Sequence, residues 1–383
     1  MMKQFSAHHR HTIAVWSLVQ HSLSSFDTLV RHFGDCETAL EPQNLAKWQQ
    51  LKLHANHLKR AAEYATPAGQ SAFSNLLAHI QQHTDFIVTP EDPLYPAQLM
   101  PYTGKPPILF GRGSAQPLLQ PQIAVVGSRK PSPHGRQVAY DFAYYLSEKG
   151  FYITSGLAHG IDEAAHQGSV TQQRAIAVVG TGLDRCYPAG NRTLYESIAS
   201  QGGAVVSEFL PGTPPLKANF PRRNRIVSGL SLGVLVVEAK KESGSLITAN
   251  RAAEQGKTVF AIPGHIYSEF HQGCHQLIRE GAILVDHPEQ ILEDLALPTH
   301  WHAQSTAAVS ATSTPEDVSD ALAVPEELIP LYQRLDWTGQ DLDQLAQQFE
   351  GSIAELTGQL MELELLGLCI QQSGRYLRCT GGF

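Results

Sequence analysis

Seven short apolar runs, spaced along residues 123–285 and separated by segments of helical period, constrain the fold of this chain more than any other feature. They read IAVVG (123–127), FYITSG (151–156), AIAVVG (175–180), AVVSE (204–208), GVLVVEA (233–239), TVFAIPG (258–264) and AILV (282–285). Runs this continuous are strands buried on both faces, as happens when crossover helices cover a parallel sheet. The fold class expected is α/β, a parallel sheet with crossover helices. In such sheets ligands bind at the carboxyl ends of the strands. The loops there, GSRKPSPHG, SGLAHGID, GTGLDRCYPAGN and EAKKESGSLITA, offer glycine and serine N–H groups together with Arg129, Lys240 and Lys241.

One stretch feeds that edge with charge. KANFPRRNRIVSGLS (217–231) gathers Lys217, Arg222, Arg223 and Arg225 around one aromatic, Phe220, then turns apolar. Pro221 suits the first turn of a helix, where its missing N–H costs nothing, and Ile226, Val227 and Leu230 give that helix a buried side. Cations and an aromatic at a helix start are what an anion with stackable rings requires. A solvated basic face on an ordinary helix reads equally well from this stretch alone.

The net charge of −8 argues against a nucleic-acid partner only until it is located. Residues 1–117 carry 9 Lys+Arg against 8 Asp+Glu, residues 118–298 carry 16 against 16, and residues 299–383 carry 3 against 12. The acidity therefore sits in the tail, and a neutral middle with clustered cations can still form a positive funnel. Five domains or segments are expected. Residues 1–85 form a helical module of the SAM or helix-hairpin-helix kind, with Gly34 capping FDTLVRHFG. Residues 86–117 are a proline-rich connector on the core, and residues 118–298 the sheet domain. Residues 299–324, rich in Ala, Ser and Thr, are a flexible linker. Residues 325–383 make three helices and a hairpin turning at Ser373-Gly374, a winged helix. Its third helix, with Ile353, Leu356, Leu360 and Leu363 on one face, carries Glu355, Glu362 and Glu364 and no Lys or Arg. Phosphate repulsion disfavours groove binding there, so a protein-contact or regulatory role is expected.

Other chemistries fit poorly. The first strand ends in GSRKPSPHG where a dinucleotide site needs G-x-G-x-x-G, and RAAEQGKT has Arg251 in place of the first glycine of a phosphate loop. Ser155, His159 and Asp162 lie within one turn and helix without an evident oxyanion hole; Asp162 and Glu163 read as first-turn acids. Glu208 and Glu238 end adjacent runs and could form a pair, although a carboxylate bonding loop N–H groups is the plainer reading. The five cysteines form no C-x-x-C pair, so no metal site and no disulfide framework are expected, nor any cofactor. His8, His9 and His11 have no carboxylate or cysteine beside them in sequence. MMKQFSAHHRH lacks the apolar core of a signal peptide and no run approaches a membrane span, so the expected compartment is the cytoplasm.

The loops together resemble the DNA-processing protein A family, also called Smf. GSR (127–129), SGLAHGID (155–162), GLDRCYPAGN (182–191), FPRRNRIVSGLS (220–231), SGSLITA (243–249) and VFAIPG (259–264) stand in that family's order and spacing. The DPLYP connector (92–96) and a tail ending GRYLR extend the match. His275 in GCHQLI departs from the asparagine of many members. The resemblance implies an extended Rossmann-like sheet core and a non-enzymatic protein of natural transformation that binds single-stranded DNA, loads RecA onto it and dimerises through its Rossmann domain. It assigns the strand-binding pocket to Gly127, Ser128, Arg129, Lys217, Phe220, Arg222, Asn224 and Arg225, with Ser243, Gly244 and Ser245 beside them and Arg223 at a variable position. On chemistry, Arg129, Lys217 and Arg225 suit phosphates and Phe220 suits a base. The rival from another class is a nucleotide phosphoribohydrolase, but its PGGxGTxxE signature meets ESGSLITANRAAE here, with Glu254 too far along.

Overall fold

The computed structural model describes residues 5–295, 324–325, 327–336, 339–349, 351–372 and 374–378. The chain divides into two compact units, Met1–Ala296 and Leu297–Phe383. The linker expected at 299–324 lies, Val324 apart, outside the described residues, as does Ser373 of the expected hairpin turn.

The first unit opens with six helices: α1 (Ala7–Leu18), α2 (Leu23–Phe33), α3 (Cys36–Leu40), α4 (Pro42–Leu45), α5 (Ala55–Tyr64) and α6 (Pro67–His83). Ser6 caps α1 by accepting from the His9 N–H, and Gly34, at φ +91°, ends α2 in a conformation that favours glycine. Ile13, Ala14, Val15 and Trp16 of α1 are wholly buried, in one core with Phe110 and Val205 of the sheet. His8 and His9 each place Nε2 2.9 Å from a carboxylate oxygen, of Glu91 and Asp92. These partners lie some eighty residues along the chain and were invisible in local sequence.

The sheet follows, with nine strands: β1 (Phe86–Val88), β2 (Leu109–Gly113), β3 (Gln122–Val126), β4 (Tyr152–Ser155), β5 (Ala175–Val178), β6 (Ala204–Ser207), β7 (Gly233–Val236), β8 (Thr258–Ala261) and β9 (Ile283–Leu284). Their order is β1-β2-β6-β5-β4-β3-β7-β8-β9. The seven expected runs are the parallel strands β3 to β9; the connector adds β1 and β2 antiparallel at one edge. Crossovers run through α7 (Pro133–Glu148), α8 (Ile161–Val170), α9 (Arg192–Ser200), α10 (Asn219–Leu230), α11 (Gly244–Glu254) and α12 (Gln272–Arg279), and α13 (Pro288–Asp294) closes the unit. The chain winds outward from β3 through β4, β5 and β6, then returns beside β3 as β7. That reversal opens a crevice beyond the ends of β3 and β7, where open α/β sheets hold ligands.

The second unit is a winged helix. It comprises α14 (Ile329–Arg334), β10 (Gln340–Asp341), α15 (Leu342–Gln348), α16 (Ile353–Leu365), β11 (Cys369–Gln372) and β12 (Arg375–Arg378), with strand order β10-β12-β11. Ser352 and Glu355 form a capping box on α16. Leu356, Leu360 and Leu363 are buried as expected, whereas Ile353 is exposed: it sits in the first turn, at the margin of the apolar stripe.

Buried and half-buried histidines, His21 and His166 among them, make the first unit acid-sensitive. Burial, with Arg222 assisting and Glu208 opposing, holds the His21 imidazole down at about 4, and His21 Nε2 accepts from the Leu210 N–H at 3.3 Å. Burial and then Arg223 hold His166 down at about 3. The unfolded chain takes up these protons near pH 6.5 and the folded chain does not. Their stabilisation is therefore complete above about pH 6.5 and is lost as pH falls toward about 4 for His21 and about 3 for His166. Thermal melting should show Tm falling over that window, and His21→Asn, which keeps an acceptor, should fall less steeply. Parallel Tm–pH curves for the two proteins would contradict this account of His21.

Candidate functional site

The crevice is an open cleft of about 760 Å³. Helix α10 presents one stripe to it. Phe220, Arg223, Asn224 and Val227, spaced i, i+3, i+4 and i+7, share a face, and all four line the cleft with Lys217 just before the helix. Gly127, Ser128 and Arg129 come from the end of β3, and Ser243, Gly244 and Ser245 from the start of α11. Ten of the twelve expected residues therefore meet in one cleft.

The aromatic centre is a pair. Phe220 lies with its ring centroid 5.5 Å from that of Tyr187, the planes tilted by 39°, and the Arg129 guanidinium carbon is 5.9 Å above the Phe220 ring. Phe220 is half-buried, backed by Gly180, where an added Cβ would press on its ring at 3.1 Å. Tyr187 is 47% exposed and belongs to GTGLDRCYPAGN. It is not among the residues expected from sequence, although an aromatic in a strand-end loop is a visible signal. Arg129 and Lys217 are exposed, and among the described residues neither is in a salt bridge. Lys240 also lines the cleft, with Nζ 2.6 Å from the Glu269 carboxylate.

The start of α11 adds its glycine N–H and the positive end of its dipole. Ser243 caps it, accepting from the Ser245 N–H at 3.3 Å, and Asn224 Nδ2 donates to the Gly244 carbonyl at 3.4 Å. The Ser245 and Leu246 N–H groups are taken by Ser243, and an added Cβ at Gly244 would meet nothing, so it is the Gly244 N–H whose approach is open. Two helix starts, α10 and α11, bring their positive ends to the cleft, which together with Arg129 and Lys217 makes it a site for anions.

The remaining arginines do other work. Arg223 is only 5% exposed and forms part of the cleft floor. Its Nη1 donates to the carbonyls of Gly156 and Val178, tying α10 to the ends of β4 and β5. A Cβ at position 156 would collide with this guanidinium at 2.3 Å, hence the glycine. Burial pushes Arg223 down to about 10, with Asp162 pulling the other way, so it keeps its charge at neutral pH.

Arg222 and Arg225 are not in the cleft, a correction to the expected grouping. They lie near the opposite side of α10, some 140–200° around the helix from Phe220 at about 100° per residue. There both grip Glu208, which is fully buried: Arg222 Nη2 at 2.9 Å, Arg225 Nη1 and Nη2 at 2.8 and 2.7 Å. Arg225 Nε donates to the Gly104 carbonyl at 2.7 Å, binding the connector, and Arg222 stacks over Trp16 and Phe209. Trp16 Nε1 in turn donates to the Glu208 carbonyl at 2.7 Å.

The candidate catalytic groups are engaged elsewhere. Ser155 Oγ donates to the Val125 carbonyl at 2.6 Å, His159 meets Glu163, and Asp162 accepts from the Gly156 and Ala158 N–H groups. Glu208 and Glu238 are not a pair: four strand spacings, about 19 Å of sheet, separate β6 from β7. Glu238 instead accepts from the Ser132 N–H and hydroxyl. The variant His275 places Nε2 3.0 Å from the Gly264 carbonyl.

The profile of the DNA recombination-mediator protein A family matches residues 86–296, and that of the DprA winged helix domain residues 310–375. Protein Smf of Escherichia coli is 41% identical over 310 residues, covering 81% of each chain. The crystal structure of DNA processing protein A from Streptococcus pneumoniae superposes with a TM-score of 0.66 at 35% identity, over 76% of this chain and 99% of that one. A structure of DNA processing protein A from Helicobacter pylori, described for its single-stranded DNA binding mode, gives a TM-score of 0.51 at 28% identity, over 56% and 98%.

The Glu208 cluster yields a stability prediction. Glu208→Gln leaves two largely buried guanidinium groups without a counter-charge, which costs about 3–5 kcal/mol. The variant should melt well below the parent, whereas Arg129→Ala, at an exposed position, should not. A Glu208→Gln protein with parental Tm would show that the cluster contributes nothing to the fold.

Proposed function

The chain belongs to the DNA-processing protein A family, also called Smf, and from that premise we propose that it binds single-stranded DNA in this cleft and loads RecA onto it. The observation that carries the reading is the Phe220–Tyr187 pair beneath the Arg129 guanidinium, beside the open start of α11. Aromatic faces suit unpaired bases of any sequence, and cations with backbone N–H groups suit the phosphates between them. A duplex hides its base faces, so single strands are preferred.

The protein works without catalysis and without a cofactor. Asp162 in the cleft is buried and committed to backbone N–H groups, which supports a binding role. It acts as a homodimer through the Rossmann unit, in the cytoplasm. Among the described residues no helix is long and apolar enough to cross a membrane. The winged helix, whose α16 carries acidic residues, serves protein contact or regulation.

A salt series of strand-binding affinity tests the reading. Phe220→Ala should lower affinity by roughly tenfold or more at every salt concentration, since stacking is worth about 1–3 kcal/mol and is insensitive to salt. Arg129→Ala and Lys217→Ala should each flatten the log–log salt slope by about 0.7, one phosphate on a single strand. Undiminished affinity in a well-folded Phe220→Ala protein would remove the stacking site. The same preparation should speed RecA nucleation on strands coated with single-strand binding protein; unchanged nucleation would refute loading while leaving DNA binding intact.

A further inference from the structure

Behind the Phe220 ridge lies a second pocket of about 410 Å³, walled by Leu23 and Ser24 of α2, Pro221, Arg222 and Arg225 of α10, and Arg251 of α11. Pro221 lines both this pocket and the main cleft, so the two lie on either flank of one turn of helix. Three arginines face the second pocket. Arg222 and Arg225 share the single charge of Glu208, which leaves one positive charge uncompensated. Among the described residues Arg251 pairs with Glu254 alone, at 2.6 Å, and both side chains are more than half exposed, so that pair is weak and water-screened. Ser24 adds an exposed hydroxyl on the opposite wall.

We infer that this pocket is a second phosphate subsite, which takes the backbone of a single strand after it leaves the main cleft over Pro221. The inference rests on the strand-binding reading above and extends it to the N-terminal helices. Unlike the cleft, the pocket has no aromatic wall, so it holds a phosphodiester and reads no base. Its arginines are set in place beforehand: Glu208 and the Gly104 carbonyl fix Arg225, and stacking on Trp16 and Phe209 fixes Arg222. Arg251 remains mobile enough to exchange Glu254 for a phosphate oxygen at small cost.

A strand must be long enough to cross the ridge before the subsite contributes, and that length dependence is the test. Affinities would be measured by fluorescence anisotropy for oligothymidylates from about 4 to about 16 nucleotides, the span of known single-strand site sizes. Arg251→Gln should leave the shortest strands unaffected, weaken the longest several-fold and flatten their salt slope by about 0.7. Ser24→Asp, which puts a carboxylate in the pocket yet suits the first turn of α2, should show the same length dependence at unchanged Tm. Equal losses at every length would mean general electrostatics, and no loss at any length would mean no contact; either overturns the subsite. If strands bind and require Phe220 while Arg251→Gln is silent, only the subsite falls. If no strand binds the parent protein, the functional reading falls with it.

Discussion

Glu208 is the group on which the arrangement of the first unit depends. It is a fully buried carboxylate at the end of β6, and its charge is acceptable there only because two guanidinium groups close on it. Those groups belong to α10, so satisfying Glu208 fixes the helix's rotation about its axis. The same cluster reaches the connector through Gly104 and the N-terminal helices through Trp16. One buried charge thereby joins the sheet, the connector and α1.

Once α10 is held in this rotation, its chemistry separates by face. Arg222 and Arg225 look toward Glu208, Ile226 and Leu230 enter the core, and Phe220, Arg223 and Asn224 face the cleft. Arg223 closes the floor by satisfying strand-end carbonyls, which leaves Arg129 and Lys217 as exposed cations beside the aromatic pair. The basic stretch thus divides its cations between holding the fold and meeting an anion. A chain with a net charge of −8 can still present a positive cleft, because its excess acid lies beyond residue 298.

Much of this was legible in the sequence. Continuous apolar runs gave the parallel strands, Gly34 gave the end of α2, and the helices with a terminal hairpin gave the winged helix. The helical period of KANFPRRNRIVSGLS already sets Arg222 and Arg225 apart from Phe220, Arg223 and Asn224. What it does not reveal is the partner on each side. Glu208 lies 14 and 17 residues away in a different element, and only the sheet order shows that it meets Arg222 and Arg225 rather than Glu238. His8 and His9 find their carboxylates in the connector for the same reason. Tyr187 stands visibly in a strand-end loop, but its meeting with Phe220 at the start of α10 is made by the fold, and no local pattern announces such a pair.

The central claim is that the aromatic pair at the crevice between β3 and β7 is where single-stranded DNA lies. Photocrosslinking of a strand carrying 5-bromodeoxyuridine, followed by peptide mapping, tests it most directly, since the reaction occurs only between stacked or touching groups. The account predicts attachment at Phe220 and Tyr187, lost in the corresponding alanine variants. Crosslinks confined to the winged-helix unit or to the N-terminal helices, with neither aromatic modified, would contradict it.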